Sequence, residues 1–562
     1  MNKISAEELF KIAFKNFEKK NFKKSVELFE KLVTVYPENL SILRNLAQAY
    51  AFSGNLESAE MTVKKIININ ENEPFAYQFL ATLLKDQDKI DEMQKLVDKA
   101  IEKKLINNKW KIQKELVFPK IPKNKSEINT FREKILKKLS EILNEDFQER
   151  LSYDDDEVII PPHFELSYND HNNLELNKKN VLALKKLFNL RDSNQDYSKE
   201  IHGKIKIGII SEFLTDHTIG RLYKNLILSL DTNKFDIFVF HSKKTRPGKI
   251  FNEFKDFEAK KKIQNLTLPL KLSEKIKKIK NENFDVLFYP DIGMSIEFYY
   301  LSLIRLAKYQ LMTFGHPETT GSKSIDHYLI SKKVINQNTQ KYFSENLLVM
   351  ETMPMIFEKP IEAPTLSKSE LSKKNIYSCP QSLFKIHPDF DEIIFKIQNL
   401  DPKSEIYLIK DKGNIYYKKL LERFRNNKNF IEKKIHFFDS MNLEEYLGNL
   451  GKSSVLLDPL YYGAGNSFFE SMVYGTPTIT LPTDHIKSRL VLGAYKQMEV
   501  SDAPIANSVD EYIKLAIEYA NSDKLFEIKE RYRKAAESKL FNTHQAGIEF
   551  NQLILNLFKK AN

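Results

Sequence analysis

The sequence predicts an α plus α/β chain: a helical solenoid at the N-terminus followed by two consecutive doubly wound α/β domains. Two observations carry this expectation. The first hundred or so residues repeat with a period of 34, the mark of stacked helical hairpins. From Lys204 onward, short β-branched and aromatic runs alternate with helical stretches at the spacing of βαβ units. The chain has 562 residues, too many for one core. Its apolar share of 42%, with 12% aromatic residues, is enough to pack several.

The repeat is visible column by column. Ala13, Ala47 and Ala81 are 34 residues apart, and the same offset links Ser25, Ala59 and Met93, then Phe29, Val63 and Val97, then Leu32, Ile66 and Ala100. Small residues in the first two columns let paired helices approach closely, and the larger apolar columns fill the space between hairpins. The pattern resembles the tetratricopeptide repeat, with Tyr50 and Gly54 at the end of a first helix and its turn. About three repeats are expected over residues 6–107, within a domain spanning 1–107. Such a solenoid offers a concave groove suited to a protein or peptide, and equally a surface for docking on the rest of the chain or for homo-oligomers.

Residues 108–202 read as a helical connector: FPKIP (118–122) and IIPPHF (159–164) break helices, and DDDE (154–157) is a solvated acidic turn. KIKIGIIS (204–211), FDIFVFH (235–241) and FDVLFYP (284–290) are strands, with helices at GRLYKNLILSL (220–230) and LSEKIKKIKNEN (272–283) between them. They define a first Rossmann-like domain over 203–360. A proline-bearing hinge near EKPIEAP (358–364) leads to a second over 361–562, with strands NIYSCP, SEIYLIK, KIHFFD, SVLLDP and TPTITLP and a C-terminal helix. Ligands of such sheets bind beyond the carboxyl ends of the strands, so the site belongs in the cleft between the two domains.

One cysteine, Cys379, excludes an intramolecular disulfide and a cysteine-built metal centre. No signal-peptide pattern and no apolar run of membrane-spanning length is present, so a cytoplasmic protein without a membrane span is expected. The net charge of +11 is spread among Glu and Asp on helical faces, as in KKNFKKSVELFEKL, which argues against a nucleic-acid partner.

Four segments carry candidate chemistry. SEFLTDHTIGRL (211–222) places His217 between a strand end and a helix start, where an imidazole can act as base or donor. PDIGMSIEF (290–298) and FGHPETTGSKSIDHYLIS (314–331) supply Asp291, a weaker candidate base, and a loop in which glycines and a proline bracket Thr319 and Thr320 beside His316. In CPQSLFKIHPDF, Lys385 follows a strand and can neutralise a diphosphate without a metal. In LLDPLYYGAGNSFFESMVYGTPTITLP (456–482), a glycine turn precedes Asn466 and Ser467 at a helix start, and Glu470 one turn along can take both ribose hydroxyls. No G-x-x-x-x-G-K-[ST] run is present in that segment, so a phosphate-transferring P-loop is not expected.

Taken in order, SEFLTDHTIGRL, GHPETTG with IDHYLIS, SLFKIHP, and GAGNSFFE with GTPTITLP resemble the protein O-linked N-acetylglucosamine transferase family, glycosyltransferase family 41, over residues 203–555. That family includes SPINDLY-type protein O-fucosyltransferases and bacterial relatives. The resemblance implies a GT-B catalytic unit and an inverting, metal-independent transferase with no cofactor beyond its nucleotide-sugar donor. It places His217 near the reacting centre, Lys385 on the donor diphosphate, and Gln381 and Ser382 in the same pocket. It also puts Gly465, Asn466 and Ser467 at phosphate, Glu470 on the ribose, Tyr446 near the base, and His316, Thr319 and Thr320 facing sugar and pyrophosphate. The animal enzymes have His-Thr-Thr where this chain has Gly465, Asn466 and Ser467, and an aspartate at Glu470. The first expectation is N-acetylglucosamine moved from UDP-GlcNAc to a protein Ser/Thr hydroxyl. Alternatives are GDP-fucose or UDP-glucose as donor, a peptide Asn or a glycan as acceptor, or an interaction protein with a degenerate transferase unit.

Overall fold

The computed structural model describes residues 5–559 except 107, 145–150, 155–160, 162, 193–196, 198–202, 244, 246, 261, 361–362, 365–366, 368–373 and 542. The chain divides into two compact units, Met1–Lys138 with Lys410–Arg423, and Leu139–Ile409 with Phe424–Asn562.

The first unit opens with three helical hairpins: Ala6–Glu18 with Phe22–Val35, Leu40–Ser53 with Leu56–Ile69, and Pro74–Asp86 with Ile90–Glu102. All twelve residues of the four repeat columns are buried, Ser25 included, because each hairpin covers the apolar face of the next. Side-chain caps from Ser5, Asn39 and Asn55 satisfy orphan N–H groups at three helix starts. Gly54 ends the third helix at φ 91°, a conformation that costs any residue with a Cβ. Between repeats, Lys64, Lys89 and the Gln87 amide surround buried Glu60, and these contacts overcome its desolvation and hold its carboxyl at about pKa 2. The helix Ile415–Arg425 joins this unit over most of its length, with Lys418 2.6 Å from Glu57 and the Arg423 guanidinium donating to the Pro122 carbonyl.

The second unit holds two parallel sheets. The first comprises β1 (Ile205–Ile210), β2 (Phe235–Ser242), β3 (Gln264–Leu268), β4 (Phe284–Tyr289), β5 (Ala307–Met312), β6 (His327–Ser331) and β7 (Asn346–Met350), in the order β3-β2-β1-β4-β5-β6-β7. The second comprises β8 (Asn375–Cys379), β9 (Ser404–Ile409), β10 (Ile435–Phe438), β11 (Val455–Leu457) and β12 (Thr478–Ile479), in the order β10-β9-β8-β11-β12. Strand order reverses between β1 and β4 in one sheet and between β8 and β11 in the other, so the segments leaving those four strands splay apart and open a crevice at each switch point. Together the repeats and the two sheets form the helical-repeat and GT-B-like architecture expected from the sequence.

The C-terminal helix His544–Lys559 packs on the first sheet. Phe550 meets Phe288 at 5.2 Å and Phe558 meets Tyr309 at 5.2 Å, because the first sheet supplies the apolar surface that covers buried Phe550 and Ile554. Of the DDDE run, Asp154 caps the helix Leu272–Asn281 by accepting from the Ser273 N–H at 2.9 Å, so it is not simply solvated; its three neighbours lie outside the described residues. So do residues 159, 160 and 162 of IIPPHF and residues 361 and 362 of the proline hinge.

Candidate active site

The switch points of both sheets face one cleft of about 720 Å³. From the second half, the segment after β8 brings Pro380, Gln381, Ser382, Phe384 and Lys385 to its wall, and the segment after β11 brings Tyr462, Gly463, Gly465, Asn466, Ser467 and Glu470. Lys385 donates from Nζ to Gln381 Oε1 at 2.9 Å and lies 4.9 Å from the centre of the Tyr462 ring. Gln381 in turn donates from its amide to Ser467 Oγ, so the two segments are joined side chain to side chain.

Below them, Asp458 follows β11 and accepts from the Ala464 N–H and, at 2.6 Å, from the Thr480 hydroxyl. Loss of water pushes the Lys385 pKa down to about 8, with Asp458 opposing the fall. The same burial pushes Asp458 up to about 7. The helix Asn466–Met472 starts at Gly465 without a side-chain cap, and Asn466 Oδ1 is buried with no partner among the described residues. Glu470 is buried and its carboxyl is raised by desolvation, against the pull of Arg221 and of hydrogen bonds from the Asn466 and Tyr446 side chains. Tyr446 comes from the helix Leu443–Lys452, whose capping box of Asn442 and Glu445 fixes the helix start beside Met441 and Leu443 on the cleft wall.

From the first half, His217 caps the helix Thr218–Leu228: the Ile219 N–H donates to its Nδ1 at 3.2 Å. A ring that accepts at Nδ1 carries its proton on Nε2, and that nitrogen is then a donor. Burial and neighbouring Arg221 both lower its pKa, which favours this neutral form. Arg221, one turn further along the same helix, reaches Glu470 Oε1 with Nη1 at 3.3 Å.

Four of the residues expected at the site stand behind the cleft wall. Asp291 is buried and accepts from the Ser211 hydroxyl at 2.9 Å; desolvation raises its pKa to about 7. Gly315 covers it, so tightly that a Cβ there would lie 2.2 Å from the Pro290 carbonyl oxygen. His316 turns to Ser167, 2.9 Å from Nε2 to Oγ, and stacks on Phe164 at 5.3 Å. Thr319 and Thr320 are buried and do not line the cleft. Their hydroxyls and the Thr320 N–H donate to buried Glu345, a carboxylate that needs donors once removed from water. The wall on this side is instead Met294, Phe314, Gly315 and Pro317.

The structure adds residues that sequence reasoning did not single out. Phe164 and Tyr168, from the connector, enter the cleft, and Tyr168 packs on Tyr462 at 4.8 Å and Phe384 at 5.1 Å. Nothing in the connector sequence announces them. Arg221 carried a signal, since it lies four residues beyond His217 in a helix and shares its face. Among the described residues no group of three or more His, Cys, Asp or Glu is placed to hold a metal ion. Cys379 is buried and its thiol is raised to about 12, which removes it as a nucleophile. The cleft thus offers two cations, several hydroxyl and amide groups and a buried carboxylate within largely apolar walls, a setting suited to an anionic ligand.

Residues 358–549 match the family model described as Glycosyl transferase family 41. Two UDP-glucose:protein N-beta-glucosyltransferases of Actinobacillus pleuropneumoniae are similar in sequence. That of serotype 5b is 22% identical over 325 residues, 57% of this chain and 50% of that protein. That of serotype 7 is 24% identical over 255 residues, 44% of this chain and 40% of that protein. The chain therefore spans half or less of the length of these relatives. Among solved structures, a mutant of the Thermobaculum terrenum O-GlcNAc transferase has the same fold, with a TM-score of 0.71 at 14% identity over 99% of this chain and 98% of that one. No described helix is long and apolar enough to cross a membrane.

Proposed function

We propose that this chain, which belongs to glycosyl transferase family 41 through residues 358–549, transfers a hexose from a nucleotide diphosphate sugar to a protein side chain. The observation that carries this reading is the linkage of Lys385, Gln381 and Ser467 along one wall of a cleft that also holds Glu470. In this reading the diphosphate lies against Lys385, Ser382, Asn466 and Ser467, the ribose on Glu470, and the base beside Tyr446. The acceptor attacks the anomeric carbon from the face opposite the diphosphate, the bond from that carbon to the phosphate oxygen breaks, the acceptor's proton passes to the departing diphosphate or to water, and the configuration inverts. Negative charge grows on the departing diphosphate as the bond breaks. An ammonium preplaced there favours the transition state over the ground state, without a metal ion. His217 serves as a hydrogen-bond donor and not as the base, because Nε2 already carries the ring proton, Nδ1 accepts from the Ile219 N–H, and a second proton would charge the ring beside Arg221.

The sequence likeness to two UDP-glucose:protein N-beta-glucosyltransferases supports UDP-glucose as donor and asparagine as acceptor, in place of UDP-GlcNAc and a Ser/Thr hydroxyl. The groove of the helical repeats is the surface we assign to acceptor protein. Thermal-shift measurements with UDP, UDP-glucose, UDP-GlcNAc and GDP-fucose test the donor, since a ligand of the folded form raises the melting temperature. Mass spectrometry of peptides offered with the best donor then distinguishes asparagine from Ser/Thr. A chain stabilised by none of these nucleotides would instead be a repeat-based interaction protein.

A further inference from the structure

Resting on that reading, we propose that Arg221 is a second contact to the donor diphosphate, held ready by Glu470 and released to the phosphates when the ribose takes Glu470's oxygens. Among the described residues lining the cleft, Arg221 and Lys385 are the only lysine or arginine side chains. Lys385 faces Asp458, whose charge offsets part of its field. A departing nucleoside diphosphate carries more charge than the donor it came from, so one partly compensated ammonium leaves charge unbalanced. A guanidinium keeps its charge at every working pH and can meet two phosphate oxygens at once.

The present partner of Arg221 is one that a ligand can replace. The contact to Glu470 is a single one at 3.3 Å, and the Arg221 side chain is 35% exposed while that of Glu470 is 5% exposed. Such half-open pairs hold weakly. Glu470 also receives the Asn466 and Tyr446 side chains, so two ribose hydroxyls arriving there compete directly with Arg221 for the carboxylate. The route from Glu470 to the diphosphate end is short in connectivity. Asn466 touches Glu470, its neighbour Ser467 accepts from Gln381, and Gln381 accepts from Lys385. Arg221 and His217 share one helix of the first half, whereas Lys385, Ser467 and Glu470 belong to the second. A diphosphate gripped by Arg221 and Lys385 together would tie the two halves across the cleft, with donor binding as the trigger.

The test uses the full chain and two substitutions, Arg221→Gln and Arg221→Lys, with UDP and uridine as probes in calorimetry and steady-state transfer as the second readout. Arg221→Gln is expected to weaken UDP by about tenfold or more and to flatten the salt dependence of its binding, while uridine binds as in the unaltered chain. Its kcat should fall by roughly a hundredfold, the loss typical of one preplaced charge donor. Arg221→Lys should recover part of both. The inference is overturned if Arg221→Gln keeps UDP affinity and kcat within about twofold and only melts earlier, since Arg221 would then merely brace its helix against Glu470. It is equally overturned if only the acceptor KM rises. An unaltered chain that binds neither UDP nor GDP would sink the transferase reading itself, whereas undiminished binding by the variant sinks this inference alone.

Discussion

Asp291 and Lys385 are both drawn toward neutrality by removal from water, and each can be tested on its own. Asp291, at about pKa 7 in the folded chain against 3.8 in the unfolded chain, binds its proton more tightly when folded. Its contribution is therefore fully present below pH 3.8 and lost as pH rises toward 7. Relative to the unaltered chain, Asp291→Asn should gain stability steadily between about pH 4 and 7, by a few kcal/mol at most, and level off above. Thermal melts across pH check this; a difference that does not change with pH would mean that Asp291 is ionised in the folded state. Lys385→Ala should keep the fold and lose at least about a hundredfold in kcat, measured by donor consumption with acceptor peptide. Of the residues that line the cleft as the sequence led us to expect, Lys385 lies in the segment leaving β8, and Ser467 and Glu470 lie in the helix Asn466–Met472, where local pattern fixes direction. Thr319 and Thr320 looked the same, but Glu345, 26 and 25 residues further on in sequence, claims their hydroxyls, and no local pattern records that.

Elements were legible where burial is complete on at least one face. The strands β1, β2, β4 and β8 are buried along most of their length and read as apolar runs. The strands β3 and β7 are the two edges of their sheet, with the same mixed exposure along Gln264–Leu268 and Asn346–Met350, so neither carries a clear hydrophobic signal. The repeat helices were the clearest case, because the 34-residue period also sets which positions pack. Gly54 tests that turn chemistry. No atom lies within 4 Å of a Cβ built there, so Gly54→Ala isolates the cost of a φ of 91°. A loss of about 1 kcal/mol, read from chemical denaturation of the helical signal, is expected. An unchanged midpoint would mean that the turn relaxes at no cost.

At the scale of the molecule, a buried ion pair joins the two halves of the second unit: Lys487, after β12, lies 2.6 Å from Glu318, after β5, with the Asn173 amide also on Glu318. Lys487→Met would strand a buried carboxylate and should cost about 3 kcal/mol or more, whereas Lys487→Met combined with Glu318→Leu should recover most of the loss. Comparison of the three melting temperatures checks this. A single variant as stable as the parent would show that Glu318 takes up a proton or finds water. The sequence by itself determined the repeat array, the run of parallel α/β units and the cleft-facing glycine, lysine and carboxylate motifs, because each depends on periodicity or on neighbours a few residues away. Only the tertiary structure decided that connector residues Phe164 and Tyr168 enter the cleft, that the C-terminal helix returns to the first sheet, and that Arg221 meets Glu470 249 residues along the chain. Those contacts arise from which surfaces remain to be buried once every element has formed, a property of the assembled fold and not of any local stretch.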